Sequence, residues 1–227
     1  MTTADVTGPL LANRQILADE VYGILKSWLE SGRIAPGERM KIDKLAEELG
    51  ISNTPIRQAL GRLESDGLVV KEAYKGFTAA HMPGRRTIDE FYEFRILVEP
   101  AASAKASLAA GASDIAFLHE QMEIGSPETA ATLGSGVLRT ADEQLHCRLA
   151  DMGNNGFVAD TLRRLFVQSS LFRAIYLRHD ALPSTYAEHQ LIVAAIADHD
   201  SAKAEAAMRA HLVAARARML DVVDNGD

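Results

Sequence analysis

The chain has 227 residues, 47% hydrophobic and only 6% aromatic, with a net charge of −7 and one cysteine. That is apolar material for one large domain or two modest ones, in an Ala- and Leu-rich composition that favours helices over a β-sandwich. The lone Cys147 excludes an internal disulfide and a cysteine-based zinc finger. No window approaches the ~20 apolar residues of a membrane span, and no signal-peptide run opens the chain, so the expected address is the cytoplasm, with no membrane partner.

Residues 1–13 read as a loose tail. Beyond it Leu17, Val21, Ile24, Leu25, Trp28 and Leu29 recur at helical spacing until Gly32, and Pro36-Gly37 makes a turn. A short helix carrying Leu45, Ala46 and Leu49 ends at Gly50. After Ile51-Ser52-Asn53, Thr54 is placed to cap the next helix, with Pro55 at its first position, where a missing N–H costs nothing. Ile56, Ala59, Leu60 and Leu63 form the apolar face of that helix, and Gly67 ends it. Residues 68–71 and 77–80 read as two short strands of a hairpin around Lys75-Gly76. A linker, Pro83-Gly84-Arg85-Arg86, follows. Beyond it helices are expected near 87–110 (bent at Pro100), 114–124, 135–152, 157–179, 184–199 and 201–223. The expected fold is mainly α: a winged helix-turn-helix of three helices plus a β-hairpin over residues 1–82, then an all-helical antiparallel bundle over 83–227.

Two short helices joined by Gly50-Ile51-Ser52-Asn53 fit a helix-turn-helix, whose second helix aims its N-terminal end at base edges in the major groove. Arg57, Gln58 and Arg62 fall opposite the apolar face, and arginine can grip guanine or phosphate bidentately. Ser52, Asn53 and Thr54 are short polar groups suited to phosphate, and Lys75-Gly76 is a wing tip. Residues 1–82 carry 10 Lys/Arg and 11 Asp/Glu, so any DNA contact depends on local placement of cations. From periodicity alone a helical pair with a solvated face remains an equal alternative.

In the second half, Asp142 and His146 are four residues apart and share a helix face. With His189 and His211 from two later helices they form the kind of set that builds a metal site inside a bundle. Imidazole and carboxylate suit Zn or Ni first, with Mn or Fe as alternatives. Each residue alone also fits a surface histidine or a mild helix-stabilising pair. Cys147, about 100° round the helix from His146, reads as packing.

The run from Leu45 to Val69, LAEELGISNTPIRQALGRLESDGLV, resembles the DNA-binding signature of the GntR family of repressors, and Gly32 to Glu38 fits the turn before it. Residues 87–223 resemble the FCD ligand-binding domain of the FadR-type subgroup. The carrying segments are Glu93–Ala102, Ala141–His146, Glu188–Ile196 and Asp200–Leu212. The resemblance implies a homodimeric regulator that binds double-stranded operator DNA. It also implies that Asp142, His146, His189 and His211 ligate a divalent transition metal on which a small carboxylate metabolite docks. Arg95 lies in a segment that faces the cavity in such proteins, although pairing with Glu99 one turn on is an equal reading. Departures from the family pattern are Asn53 and Asp43, where arginines that contact DNA often stand, and Leu145, where phenylalanine is usual. Lys44 or Lys41 is placed to compensate for the lost cations. The rival reading is a metal-dependent enzyme using the Asp/His3 set to activate water. No general base or nucleophile motif beside the set supports it. A structural metal in an interaction protein is a third.

Overall fold

A 24-residue helix, α1 (Thr7–Glu30), begins the described part of the chain. The computed structural model describes residues 7–133, 135–176 and 182–225. Part of the expected tail lies outside the described residues, but residues 7–13 are already helical. Pro9 sits in the first turn, where backbone N–H groups have no helical partner, and Leu10, Leu11 and Ala12 are strong helix formers. The chain divides into two units, with the break between Met82 and Pro83.

In the first unit, α1 is followed by β1 (Arg39–Met40), α2 (Ile42–Leu49), α3 (Asn53–Ser65), β2 (Val69–Glu72) and β3 (Gly76–Ala79). Most of the face read from the sequence is core: Leu25, Ile56, Ala59, Leu60, Leu63 and Leu68 are fully buried, whereas Ile24 is exposed. Gly50 ends α2 in the left-handed conformation, φ 67°, and its N–H bonds back to the last turn. The cap of α3 is displaced from the expected one. Ser52 holds the extended N-cap position, Asn53 is the first helical residue, and Thr54 and Pro55 lie within the first turn. Proline is tolerated there because the first-turn N–H groups lack partners in any case. The strands form an antiparallel sheet in the order β1-β3-β2. β1 was not anticipated, because two residues carry no periodicity. β2 and β3 pair through Glu72 and Gly76, so the turn is short. Tyr74 stands in it at φ 65°, fully exposed.

The second unit contains α4 (Arg85–Ala109), α5 (Ala112–Ile124), α6 (Pro127–Leu133), α7 (Ser135–Met152), α8 (Gly156–Tyr176), α9 (Leu182–Ala197) and α10 (Ser201–Asn225). The expected extension of the fourth helix to 179 reaches outside the described residues. α6 falls where a loop was expected. Its start is a Ser-Pro-Glu signal, with the Ser126 hydroxyl accepting the Thr129 N–H at 3.2 Å. α4 runs on through Pro100, whose missing N–H leaves the Ile96 carbonyl without its helical donor. α10 lies along α4 and α9, and α7 along α4, α5 and α8. The main core gathers Ala106, Leu118, Leu145, Leu149, Ile192, Ile196, Met208 and Leu212 from five helices. A second cluster, with Ile88, Phe91, Tyr92 and Phe172, lies between α4, α8 and α10.

Candidate DNA-reading face and candidate metal centre

Ser52, Asn53, Thr54, Arg57 and Gln58 are exposed at the N-terminal end of α3, and Lys44 is exposed on α2. Arg62 is exposed as well, but its guanidinium is ion-paired with Asp19 of α1 and lies 4.4 Å over the Tyr22 ring. Asn53 donates its amide N–H to Asp43 at 2.8 Å. Lys75, at the hairpin turn, pairs with Glu72, and Gly76 takes φ 86°. The exposed Tyr74 beside them had no signal in the sequence, because nothing in the local pattern marked it as the turn residue.

Asp142 and His146 project from one face of α7, His189 from the second turn of α9 and His211 from the middle of α10. The Ala197–Ser201 connection is short enough to make α9 and α10 neighbours. One donor atom from each of the four residues falls in a single group whose members all lie within 4.8 Å of one another. The His189 and His211 Nε2 atoms are 3.3 Å apart. Asp142 Oδ1 is 3.4 Å from His189 Nε2 and 3.7 Å from His146 Nε2. Donors sharing one ion at about 2.1 Å each would be separated by roughly 3–3.4 Å, so the residues present fit a metal.

The surrounding carboxylates orient the rings. Glu99 of α4 accepts from His146 Nδ1 at 2.5 Å, and Glu188 of α9 accepts from His211 Nδ1 at 2.8 Å. A carboxylate only accepts, so both rings carry their proton on Nδ1 and present a bare Nε2 inward. His146 Nε2 is buried with no hydrogen-bond partner among the described residues, an orphaned acceptor of the kind a cation satisfies. The two glutamates are held in turn by arginines. Arg95 bonds Glu99 through Nε at 2.5 Å, and Arg218 grips Glu188 through two nitrogens at 2.6 and 2.7 Å. Arg173 of α8 pairs with Asp142.

Electrostatics follows this layout. Burial would raise the Glu99 carboxyl, but Arg95 and His146 outweigh it and hold it at about 2. Glu188 is likewise brought to about 2 against burial, by Arg218 and His211. Asp142 lies well below the usual carboxylate range because Arg173 and the histidines overcome its burial. Burial, reinforced by His211, lowers His189 to about 3, and burial also lowers His146 and His211 against the pull of their glutamates. The set therefore holds an ionised carboxylate and three neutral imidazoles, the forms that ligate metals.

The Arg95 guanidinium is spent on Glu99, the alternative left open from the sequence. Arg173, which sequence reasoning missed, stands nearer the cluster, and its second nitrogen, Nη1, is buried with no partner among the described residues. A narrow cavity beside Asp142 and His189 is walled by Gln121, Met122, Leu138, Thr185 and Tyr186. Cys147 packs against the buried cluster of Ala150, Ala159, Leu162 and Phe166.

Residues 17–78 match the description "Bacterial regulatory proteins, gntR family", and residues 90–214 match the FCD domain. The Nta operon transcriptional regulator of Aminobacter aminovorans is 30% identical over 83% of this chain and 87% of its own length. The HTH-type transcriptional repressor GlaR of Escherichia coli is 24% identical over 85% of this chain and 90% of its own. A solved structure of a GntR transcriptional regulator from Rhodococcus sp. RHA1 superimposes with a TM-score of 0.75 at 25% identity, covering 90% of this chain and 97% of that one. These families and relatives are transcriptional regulators, not enzymes. The chain belongs to the GntR family of bacterial regulatory proteins, in the FadR-like branch that joins a helix-turn-helix to an FCD domain.

Proposed function

We propose that this regulator is a cytoplasmic homodimeric repressor whose operator binding is controlled by a small carboxylate metabolite docking at a divalent transition metal. Residues 1–82 are the DNA-binding domain, and residues 83–227 are the metal- and ligand-binding domain. Asp142, His146, His189 and His211 hold the metal. Zn or Ni suits this donor set best, and Mn or Fe would also be accepted. The carrying observation is the convergence of four donor atoms with the orphaned Nε2 of His146 among them. The bound cation supplies a positive charge and open coordination positions for a carboxylate oxygen.

The chain's own residues do the rest. Glu99 and Glu188 keep the His146 and His211 rings aimed inward. The buried Nη1 of Arg173, without a partner among the described residues, offers a second carboxylate contact, and the lining of the adjoining cavity limits the size of the acid. On DNA, Arg57 is assigned a base contact, while Lys44, Ser52, Asn53, Thr54, Arg62, Lys75 and Gly76 are assigned further contacts. Pairing two half-sites requires a dimer, which light scattering at micromolar concentration checks.

The test combines elemental analysis of chelator-free protein with thermal shift on added Zn or Ni. The wild-type protein should bind about one equivalent and melt higher, and His211→Ala should do neither. No metal and no shift in the wild type would remove the site. A gel shift with the protein's own upstream DNA, with and without candidate acids, tests the regulatory half.

A further inference from the structure

At the end of α3 that meets DNA, one contact is at odds with simple phosphate binding. Asp43 lies in the first turn of α2 and Asn53 opens α3, both side chains are exposed, and they are bonded to each other at 2.8 Å. A carboxylate at the DNA-facing end of a helix-turn-helix repels phosphate, so a pure phosphate-binding role for this corner is unfavourable. Its chemistry has a different use. The carboxylate can only accept, so the Asn53 amide must turn its nitrogen toward Asp43 and its oxygen away. The Asn53 Nδ2 group keeps a second N–H beyond the one given to Asp43. Asn53 thus presents one acceptor and one donor in a fixed order, whereas an unrestrained amide could flip.

We propose that Asn53, its amide orientation fixed by Asp43, reads one adenine in each operator half-site. Adenine offers the N6 donor and N7 acceptor along its major-groove edge, and an asparagine amide matches that pair bidentately. Asp43 is a positioning residue. Its charge also weakens binding to DNA that lacks the matching base, which sharpens discrimination. Arg57, one turn further along α3, remains available for a neighbouring base or phosphate. The inference rests on the DNA-binding reading above.

The test is selection of binding sites from a random duplex library with the full-length protein, followed by affinity measurements across a salt series. The wild type should enrich a palindromic site with one strongly preferred adenine per half. Asn53→Ala should lose preference at that position, by about 10- to 100-fold, and keep it elsewhere. Asp43→Asn should blur the same position while raising affinity for unrelated DNA, with a salt slope steeper by about one. Both variants should melt with the wild type, since both side chains are exposed. A motif unchanged in Asn53→Ala, with affinity lowered uniformly, would overturn the inference and leave DNA binding intact. A wild type that enriches no motif would overturn both readings.

Discussion

Arg57 and Arg62 lie on the same helix and look equivalent in sequence, yet their surroundings differ. Arg57 is open to solvent, while Arg62 is paired with Asp19 and stacked on Tyr22. An arginine already neutralised by a carboxylate releases fewer counterions from DNA than a bare one. Arg57→Ala should weaken operator binding by about 1–3 kcal/mol. Arg62→Ala should change the salt slope by clearly less than one. An Arg62 effect as large as that of Arg57, in a titration against salt, would show that the Asp19 pair opens on DNA. Cys147 is a second case of surroundings deciding chemistry. Burial, with Glu143 adding to it, pushes its thiol up to about 12. The native protein should therefore react with iodoacetamide at pH 8 far more slowly than the same chain in denaturant. Equal rates would place the thiol in a more open setting than the one against Ala150, Ala159, Leu162 and Phe166.

At the scale of elements, what could be read in advance was whatever a single helix face expresses. Asp142 and His146 share a face by spacing, and the apolar face of α3 and most of that of α1 are buried, Ile24 excepted. The partners of the histidines were illegible, because they are tertiary. Glu99 was visible only as a neighbour of Arg95, and nothing in α4 says that it meets His146 of α7. Glu188 is adjacent to His189 in the chain but serves His211 on α10. The short β1 was missed because its pairing with β3 across the fold fixes it, and two residues carry no periodicity. The Glu188 arrangement makes a prediction. Glu188→Ala should lower metal affinity about 10- to 100-fold by freeing the His211 ring, while Glu188→Gln, which keeps an acceptor, should lose less. Competition with a chromogenic chelator measures this, and equal affinities for all three proteins would deny Glu188 its role.

For the second unit as a whole, the shifts combine into one acid dependence. His189 takes its proton near 6.5 when unfolded but only at about 3 when folded. The unfolded chain therefore binds more protons between those values, and stability falls as pH drops through that window. Glu99 and Glu188, at about 2 in the fold against an ordinary 4.5, contribute stability that is present above 4.5 and lost as pH falls toward 2. Metal-free protein should therefore begin losing melting temperature below about pH 6.5 and lose more below 4.5. His189→Gln should flatten the first part of that decline. A melting temperature constant from pH 7 to 5 would show that His189 is already charged in the fold.

The same neutral imidazoles bear on what accompanies loading. A cation entering most histidine sites displaces protons, and the solution must absorb them. Here the carboxylate is already ionised and the rings already uncharged at neutral pH. Uptake of Zn should therefore release almost no acid into the medium. Calorimetry at pH 7 in two buffers of very different ionisation enthalpy should return the same heat. Metal loading would then be insensitive to modest swings in the acidity around the protein.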